Sequence, residues 1–255
     1  MYKPENFRLG DDVAIVTGAG AGIGRAIAIM FAEAGARVLV SDLRADAANA
    51  VADEIVGNGG RAFGIACNVT KEDELSAIVE AAISRFGKVT ILVNNAGGGG
   101  PKPFDMPMSD FEWAYKLNVY STFRLTQLAA PHMERAGGGA VLNISSMAGE
   151  NKNRRMASYG SSKAAVNHLT RNIAFDLGPR NIRVNAIAPG AIKTAALASV
   201  LSPETEKAML KHTPLGRLGE AEDIANAALF LCAPASFWIS GQVLTVSGGG
   251  VQELD

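Results

Sequence analysis

The sequence is poor in the residues that mark several large classes of protein. Its 255 residues include two cysteines and three histidines. Cys67 and Cys232 lie far apart without the spacing of metal ligands, and His132, His168 and His212 are scattered. We therefore expect no disulfide framework and no metal site. Both cysteines are expected to be unreactive thiols in the core.

Excess charge and long apolar runs are also missing. The formal net charge of -1 gives no reason to expect nucleic acid or an anionic membrane as a partner. No apolar run reaches the roughly 20 residues of a membrane span, and the polar residues 1–6 do not resemble a signal peptide. With 48% hydrophobic residues the chain can bury a large core, and we expect a cytoplasmic globular protein.

Apolar runs typical of buried parallel strands alternate with helical patterns along the chain. The predicted strands cover residues 13–17, 37–42, 62–67, 90–94, 139–145, 182–188 and 242–246. This alternation predicts an α/β fold with a single doubly wound, Rossmann-like, seven-stranded parallel sheet and helices on both faces. Residues 1–255 contain no linker and are expected to form one domain. Ser109 and Ser158 are the expected N-caps of two helices.

A glycine-rich turn follows the first predicted strand and precedes a helical pattern. Gly18, Gly22 and Gly24 fit G-x-x-x-G-x-G, and the more familiar G-x-G-x-x-G fails because position 23 is Ile. Glycines there let backbone N–H groups approach a pyrophosphate at the positive end of a helix. The alternative is an ordinary tight turn rich in small residues.

Asp42 ends the second predicted strand, eighteen residues after Gly24. A carboxylate at this spacing accepts hydrogen bonds from an adenosine ribose and repels a 2′-phosphate, so the sequence favours NAD over NADP. Arg44 could instead accommodate a phosphate, but we expect it to be a solvated charge at the start of the next helix.

Tyr159 and Lys163 are four residues apart, so on a helix they share one face. A tyrosine normally ionises near pH ~10, and a neighbouring ammonium lowers that pKa. With the Ser146 hydroxyl nearby, the three groups could transfer a proton to or from an alcohol or carbonyl. Taken alone, the pair could equally be part of a solvated helix face.

Several short motifs together resemble the short-chain dehydrogenase/reductase family over essentially the full length of the chain. They are the Thr17–Gly24 turn, Asn94-Asn95-Ala96-Gly97, Asn118, Ser146, Tyr159-x-x-x-Lys163 and Pro189-Gly190. The resemblance implies that Tyr159 is the general acid/base, that Ser146 binds the substrate oxygen, and that Lys163 lowers the tyrosine pKa and binds the nicotinamide ribose. Asn118 would help hold a water that links Lys163 to solvent.

The resemblance also implies which residues bind NAD and the substrate. The expected cofactor-binding residues are Gly18, Gly22, Ile23, Gly24, Asp42, Leu43, Asn68, Val69, Asn95, Tyr159, Lys163, Ile192 and Thr194. The expected substrate-binding residues are Gly99, Ser146, Asn151 and Tyr159. Two positions depart from the family pattern. Asn68 replaces a frequent Asp that accepts a hydrogen bond from adenine, a role we expect its amide oxygen to keep. Gly160 replaces a frequent Ala and should cost only helix stability.

Residues 97–107, 150–153 and 247–254 narrow the resemblance to bacterial members of the family that oxidise hydroxysteroids with NAD. That resemblance implies hydride transfer between the 7α-hydroxyl carbon of a bile acid or hydroxysteroid and NAD. It also implies a homotetramer, formed through the helix that carries Ala164, Ala165 and Ala174. Five cations could meet an anionic bile-acid side chain, although each could simply be a surface charge: Lys102, Arg154, Arg155, Lys193 and Lys211.

The stretch around residues 190–215 lies in the longest connection between two predicted strands. Its apolar residues at helical intervals are Ile192, Leu197, Val200, Leu201, Met209 and Leu210. They indicate either an amphipathic helix packed on the core or a lid over a large hydrophobic substrate, and the resemblance favours the lid. Three other functions stay open: a sugar or polyol dehydrogenase, a 3-oxoacyl carrier-protein reductase, and a nucleotide-binding regulator without catalysis.

Overall fold

A parallel seven-stranded sheet organises the computed structural model, which describes residues 3–198 and 201–250. The strands are Val13–Thr17 (β1), Arg37–Asp42 (β2), Arg61–Ala66 (β3), Ile91–Asn94 (β4), Gly139–Ile144 (β5), Ile182–Pro189 (β6) and Val243–Val246 (β7). All pairings are parallel, in the order β3-β2-β1-β4-β5-β6-β7. The predicted sheet is confirmed, with every strand end within one residue of its expected position.

Helices connect the strands. They are Gly22–Glu33 (α1), Ala45–Gly57 (α2), Glu72–Phe86 (α3), Met108–Tyr115 (α4), Ser121–Arg135 (α5), Ala157–Leu177 (α6), Ala195–Ala198 (α7), Pro203–Lys211 (α8) and Ala221–Cys232 (α9). A turn of π-helix, Lys116–Tyr120, joins α4 to α5. The expected N-caps are wrong: Ser109 and Ser158 lie inside the first turns of α4 and α6, because Pro107 and Met156 precede those helices as caps.

Apolar side chains cover both faces of the sheet. On one face, α1, α2 and α9 supply buried residues such as Phe31, Ile55 and Ile224. On the other, α3, α5 and α6 supply buried residues that include Ile78 and Met133. Strand β1 therefore lies between two apolar layers, and all five of its residues are buried. The strand order reverses between β1 and β4, which opens a crevice at the carboxyl ends of the strands.

Both cysteines are free and buried, as expected. Burial raises the pKa of Cys67 to about 11 and the pKa of Cys232 to about 12, so both thiols stay protonated at neutral pH. Within residues 3–198 and 201–250, no helix combines the length and the apolar character needed to cross a membrane. Across the same residues, no cluster of three His, Cys, Asp or Glu side chains is arranged to hold a metal ion.

Candidate active site

A cleft of about 980 Å³ lies at the crevice. Nearly all of the expected cofactor and substrate residues line it: Gly18, Gly22, Ile23, Gly24, Asp42, Leu43, Asn68, Val69, Asn95, Gly99, Ser146, Tyr159, Lys163, Ile192 and Thr194. Two expected residues do not belong to its lining, Asn118 and Asn151. The fold thus gathers residues spread over most of the chain into one site.

The glycine turn is attached to the end of β4 by two side chains. The Asn95 amide nitrogen donates to the main-chain oxygens of Thr17 and Gly18, at 2.8 and 3.0 Å. The Thr17 hydroxyl accepts from the N–H groups of Asn95 and Ala96, at 3.1 and 3.0 Å. A β-carbon at Gly24 would lie 2.4 Å from the Asn95 amide nitrogen, so only glycine permits this close approach.

Asp42 lies beside the glycine turn at the end of β2. One carboxylate oxygen accepts from the N–H of Gly20 at 2.9 Å, and the other accepts from the N–H of Arg44 at 3.1 Å. Each oxygen keeps a free lone pair that could receive a hydroxyl hydrogen. Arg44 is exposed and immediately precedes α2, as the sequence suggested.

The side chain of Asn68 is hydrogen-bonded to a residue of its own loop. Its amide oxygen accepts from the Thr70 N–H at 3.0 Å and from the Thr70 hydroxyl at 2.8 Å. Both lone pairs of this oxygen already face donors within the chain. Its acceptor role toward adenine stays a prediction.

The Tyr159 phenol lies near the start of α6 and is hydrogen-bonded to the Ser146 hydroxyl. Burial raises the pKa of this phenol, and the Ser146 hydrogen bond only partly opposes the rise. This differs from the expectation that Lys163 holds the tyrosine pKa below its ordinary value. The Ser146 oxygen also accepts from the Ala148 N–H at 3.1 Å, which fixes its position.

Lys163 is buried one helical turn after Tyr159. Its ammonium nitrogen donates to the main-chain oxygen of Ile144 at 2.8 Å and lies 5.8 Å from the centre of the Tyr159 ring. Burial lowers the lysine pKa from 10.5 to about 8. The two groups therefore share the cleft, but the lysine binds strand β5 rather than the phenol itself.

Asn118 is buried in the π-helical turn, behind the cleft wall. Its amide nitrogen donates to the Gly98 oxygen and the Ser162 hydroxyl, both at 2.9 Å, and its amide oxygen accepts from the Gly98 N–H at 3.0 Å. The buried amide thus has protein partners, and its expected part in holding a water stays a prediction. The side chain joins the glycine-rich loop after β4 to the helix of Tyr159.

Gly99 touches the ring of Tyr159. Its φ is +138°, and a β-carbon there would lie 2.6 Å from the Cδ2 atom of Tyr159. The loop after β4 thus supports the tyrosine ring directly. Gly99 is therefore a neighbour of Tyr159 as well as a part of the cleft lining.

Asn151 lies in the segment after Ser146, outside the cleft lining. Its amide oxygen is buried and has no hydrogen-bond partner among residues 3–198 and 201–250. The geometry therefore gives no direct support to its expected contact with a substrate hydroxyl.

Sequence reasoning missed several apolar residues of the cleft, namely Trp113, Leu117 and Met156. Trp113 and Leu117 are four residues apart across the junction of α4 and the π-helical turn, and Trp113 is 51% exposed. An exposed tryptophan followed by an apolar residue at helical spacing could have identified this wall.

The connecting segment around residues 190–215 borders the cleft. Ile192, Leu197 and Met209 line it, while none of the described α8 side chains is buried. The segment thus contributes to the cleft wall, and its Ile192 also belongs to the buried core. Val200 lies outside the described residues.

The five cations named above contribute nothing to the cleft lining, as far as the structure describes the chain. Lys102 pairs with Asp110 at 3.0 Å, and the other four are exposed. All of them therefore lie on the outer surface, beyond the rim of the cleft.

Comparisons with known proteins agree with this geometry. A family model described as enoyl-(acyl carrier protein) reductase matches residues 18–250. The chain is 66% identical over 255 residues to the 7alpha-hydroxysteroid dehydrogenase of Escherichia coli (strain K12), with both chains covered completely. It is 35% identical over 243 residues to the 3-oxoacyl-[acyl-carrier-protein] reductase of Thermotoga maritima, covering 95% of this chain and 98% of that protein.

Solved structures give the same result. A 7 alpha-hydroxysteroid dehydrogenase complexed with NADH and 7-oxo glycochenodeoxycholic acid matches with a TM-score of 0.98 and 66% identity, over 100% of each chain. A short-chain type dehydrogenase/reductase from Mycobacterium marinum matches with a TM-score of 0.91 and 36% identity, over 96% of this chain and 97% of that one.

Proposed function

The chain belongs to the short-chain dehydrogenase/reductase family, and from that premise we propose that it is an NAD-dependent 7α-hydroxysteroid dehydrogenase. The observation that carries the proposal is the full-length identity of 66% to a 7alpha-hydroxysteroid dehydrogenase, joined to a TM-score of 0.98. The match covers both chains completely, so the loops around the cleft lie within it. Those loops set the substrate class in a fold that supports many reactions.

The cleft residues fit a nicotinamide adenine dinucleotide. The glycine turn leads into α1, a twelve-residue helix whose amino end can receive a pyrophosphate. The Asp42 carboxylate can accept both hydroxyl hydrogens of a ribose, and its negative charge disfavours a 2′-phosphate. Leu43, 68% exposed beside the cleft, offers an apolar contact surface to a base. NAD is therefore the cofactor that this site suits.

The catalytic step needs a proton acceptor and a fixed substrate oxygen. Tyr159 takes the hydroxyl proton as the carbonyl forms, and returns it in ketone reduction. Ser146 is hydrogen-bonded to the phenol and holds the substrate oxygen beside it. The positive charge of Lys163, 5.8 Å from the ring centre, stabilises the phenolate. When bound, oxidised NAD accepts the hydride from the substrate carbon.

The raised pKa of Tyr159 affects ketone reduction and alcohol oxidation differently. A phenol that keeps its proton at neutral pH is ready to act as an acid toward a ketone. Oxidation of the alcohol requires the deprotonated phenol, so its rate should rise with pH. Tyr159 must therefore be protonated for ketone reduction and deprotonated for alcohol oxidation.

A steroid nucleus is large and apolar, and the cleft presents matching side chains. Trp113, Leu117 and Met156 lie on its lining together with Leu197 and Met209. We assign residues 190–215 as the lid that closes over the substrate, with Leu197 and Met209 on its inner face. A sugar or polyol would leave these apolar groups without a suitable contact.

The protein is proposed to be a cytoplasmic homotetramer. Large apolar side chains remain exposed on and near α5 and α6, including Phe123 at 41% and Phe175 at 88%, and Trp238 is fully exposed. Burying them between subunits would remove apolar surface from water. Ala174 of the small-residue face packs instead in the core of its own chain. Sedimentation velocity measures the assembly directly, and a stable monomer would refute it.

A turnover assay tests the function. Purified protein with NAD⁺ is given a 7α-hydroxy bile acid, its 7β epimer, a sugar alcohol and, with NADH, an acetoacetyl thioester. We expect NADH formation with the 7α epimer and little reaction with the others. Faster turnover of the sugar alcohol or the thioester would instead assign the chain to one of the alternative dehydrogenases.

The Tyr159→Phe variant is the matched control. It keeps the ring and loses the acid/base group, so kcat should fall by about 10²–10⁴-fold. NADH binding, followed by fluorescence, should change little. Binding without turnover of any substrate in the wild-type protein would favour the nucleotide-binding regulator.

A further inference from the structure

Residues 145–150, which we call the serine segment, follow β5 and pack along helix α6. A β-carbon at Gly160 of the helix would lie 2.8 Å from the Ala148 oxygen, and a β-carbon at Gly149 would lie 2.7 Å from the Ala164 nitrogen. At both places the two elements approach so closely that a side chain has no room. These contacts set the distance between the serine segment and the helix.

Two side-chain hydrogen bonds fix the ends of the serine segment on α6. At its start, the buried Ser145 hydroxyl donates to the main-chain oxygen of Lys163 at 3.1 Å. At its far end, the Asn167 amide nitrogen donates to a carboxylate oxygen of Glu150 at 2.9 Å. Asn167 follows Lys163 by one helical turn and lies on the same face of α6. Ser146 therefore lies between two points of attachment to one helix.

The amide of Asn167 serves this attachment. The residue is 3% exposed, and its amide oxygen is buried without a donor among the residues that the structure describes. Its NH₂ group, in contrast, is bonded to the carboxylate of Glu150, and a bond to an ionised acceptor is stronger than a bond between neutral groups. The hydrogen bond of this buried polar side chain is thus directed to the serine segment.

We propose that Asn167 and Glu150 are positioning residues, which keep the Ser146 hydroxyl at the Tyr159 phenol by fixing the serine segment on α6. The inference rests on the proposed function, since it takes Tyr159 and Ser146 as the groups that handle the proton and the substrate oxygen. Neither Asn167 nor Glu150 belongs to the cleft lining. Their effect therefore passes through the serine segment and requires no contact with a ligand.

A displaced serine segment would change the chemistry of Tyr159 in a recognisable way. The hydrogen bond from Ser146 lowers the phenol pKa and partly opposes the rise caused by burial. Without that bond the pKa of the phenol should rise, and oxidation, which needs the phenolate, should require a higher pH. The charged group beside the phenol is the Lys163 ammonium, which is held separately by the Ile144 oxygen.

The test removes each partner of the hydrogen bond, as Asn167→Ala and Glu150→Ala. Oxidation of a 7α-hydroxy bile acid is followed from pH 7 to 10. We expect kcat to fall about 10-fold, since a misplacement of 1 Å can cost about 100-fold, and the pH profile to move to higher pH. KM for NAD⁺ should change less than about twofold, because the glycine turn and Asp42 are untouched. The double variant should lose no more than the worse single variant.

Three matched variants make the result specific. Glu150→Gln keeps an oxygen that can accept from Asn167, so it should stay within about twofold of the wild-type kcat. Asn172→Ala removes an exposed asparagine of the same helix and should also stay within about twofold. Glu150 is itself exposed, so Glu150→Ala removes the hydrogen bond without opening a buried cavity, even if Asn167→Ala fails to fold.

Three results would overturn the inference while wild-type turnover leaves the proposed function intact. They are an unchanged kcat in the alanine variants, a fall in kcat with no movement of the pH profile, and a loss in Glu150→Gln as large as in Glu150→Ala. A wild-type protein without turnover of the bile acid would refute the proposed function, and the inference with it.

Discussion

The Lys163 ammonium nitrogen lies 2.8 Å from the main-chain oxygen of Ile144, the last residue of β5. The contact ties α6, the helix that carries Tyr159 and Lys163, to the central sheet at the floor of the cleft. It also explains why the ammonium does not lie on the phenol. The cation is held by the strand while its charge remains within 5.8 Å of the centre of the Tyr159 ring.

Burial of Lys163 should make folding stability depend on pH. The unfolded chain keeps the lysine proton up to its ordinary pKa of 10.5, whereas the folded chain releases it near 8. Between these values the unfolded state binds more protons, so raising the pH favours folding, by at most about 1.4 kcal/mol per pH unit. The free energy of unfolding, measured by urea titration from pH 7 to 9.5, should rise relative to that of Lys163→Met. A constant difference across this range would show that the lysine keeps its proton.

Gly99→Ala should impair catalysis through the position of Tyr159. The added β-carbon would lie 2.6 Å from Cδ2 of that ring, at a φ of +138° that disfavours alanine. A displacement of the phenol by a fraction of an ångström to 1 Å should lower kcat by about 10–100-fold. Steady-state kinetics with a 7α-hydroxy bile acid measures this.

Gly100→Ala is the control for that variant, since a β-carbon at Gly100 meets no atom within 4 Å. It should keep kcat within about twofold of the wild type. Similar losses in both variants would show that general loop flexibility, rather than the contact with the ring, sets the rate.

Asp42→Ala should relax the preference for NAD over NADP. The substitution removes acceptors for ribose hydroxyls and the charge that repels a 2′-phosphate. Each charge-assisted hydrogen bond contributes about 1.5–3 kcal/mol, so kcat/KM with NAD should fall roughly 10–100-fold while that with NADP changes less. An unchanged ratio of the two kcat/KM values would refute the ribose contact. Asp42→Asn, which keeps the size of the side chain, separates charge from packing.

Gly160→Ala should stabilise the protein less than a Gly→Ala substitution at a helix position where the added β-carbon has room. Alanine in a helix is favoured over glycine by up to about 1 kcal/mol, but a β-carbon at Gly160 would lie 2.8 Å from the Ala148 oxygen. That oxygen belongs to the segment that positions Ser146. Thermal unfolding of this variant is compared with Gly57→Ala, where no atom lies within 4 Å. An equal gain in both would show that the Ala148 segment moves freely.

The fold was readable from the sequence because the central strands β1, β4, β5 and β6 are buried on both faces. Largely apolar stretches such as 13–17 and 182–188 predict parallel strands almost to the residue. Helix starts were less predictable. The serines at 109 and 158 lie inside the first turns of their helices, and residues before them occupy the cap positions. Local propensity decides such ends only by small energies.

The cleft was predicted well where its residues follow strand ends, as with Asp42 and Asn95. The exceptions are polar residues whose side chains are already hydrogen-bonded within the chain. The Asn68 oxygen is used by Thr70, and the Asn118 amide by Gly98 and Ser162. A sequence pattern shows that a polar group lies at a site. Which groups it is hydrogen-bonded to depends on the side chains and main chain that surround it in the folded protein.

The Thr17 hydroxyl donates to the Val93 oxygen at 3.3 Å and accepts from two N–H groups of the loop after β4, so its bonding capacity is full. The end of β1 and the loop after β4, which flank the crevice, are therefore joined through this one hydroxyl oxygen. The width of the gap between them is set by hydrogen bonds between a buried side chain and the main chain. Loops farther out can exchange residues, and with them substrates, without altering the spacing on which the nucleotide depends.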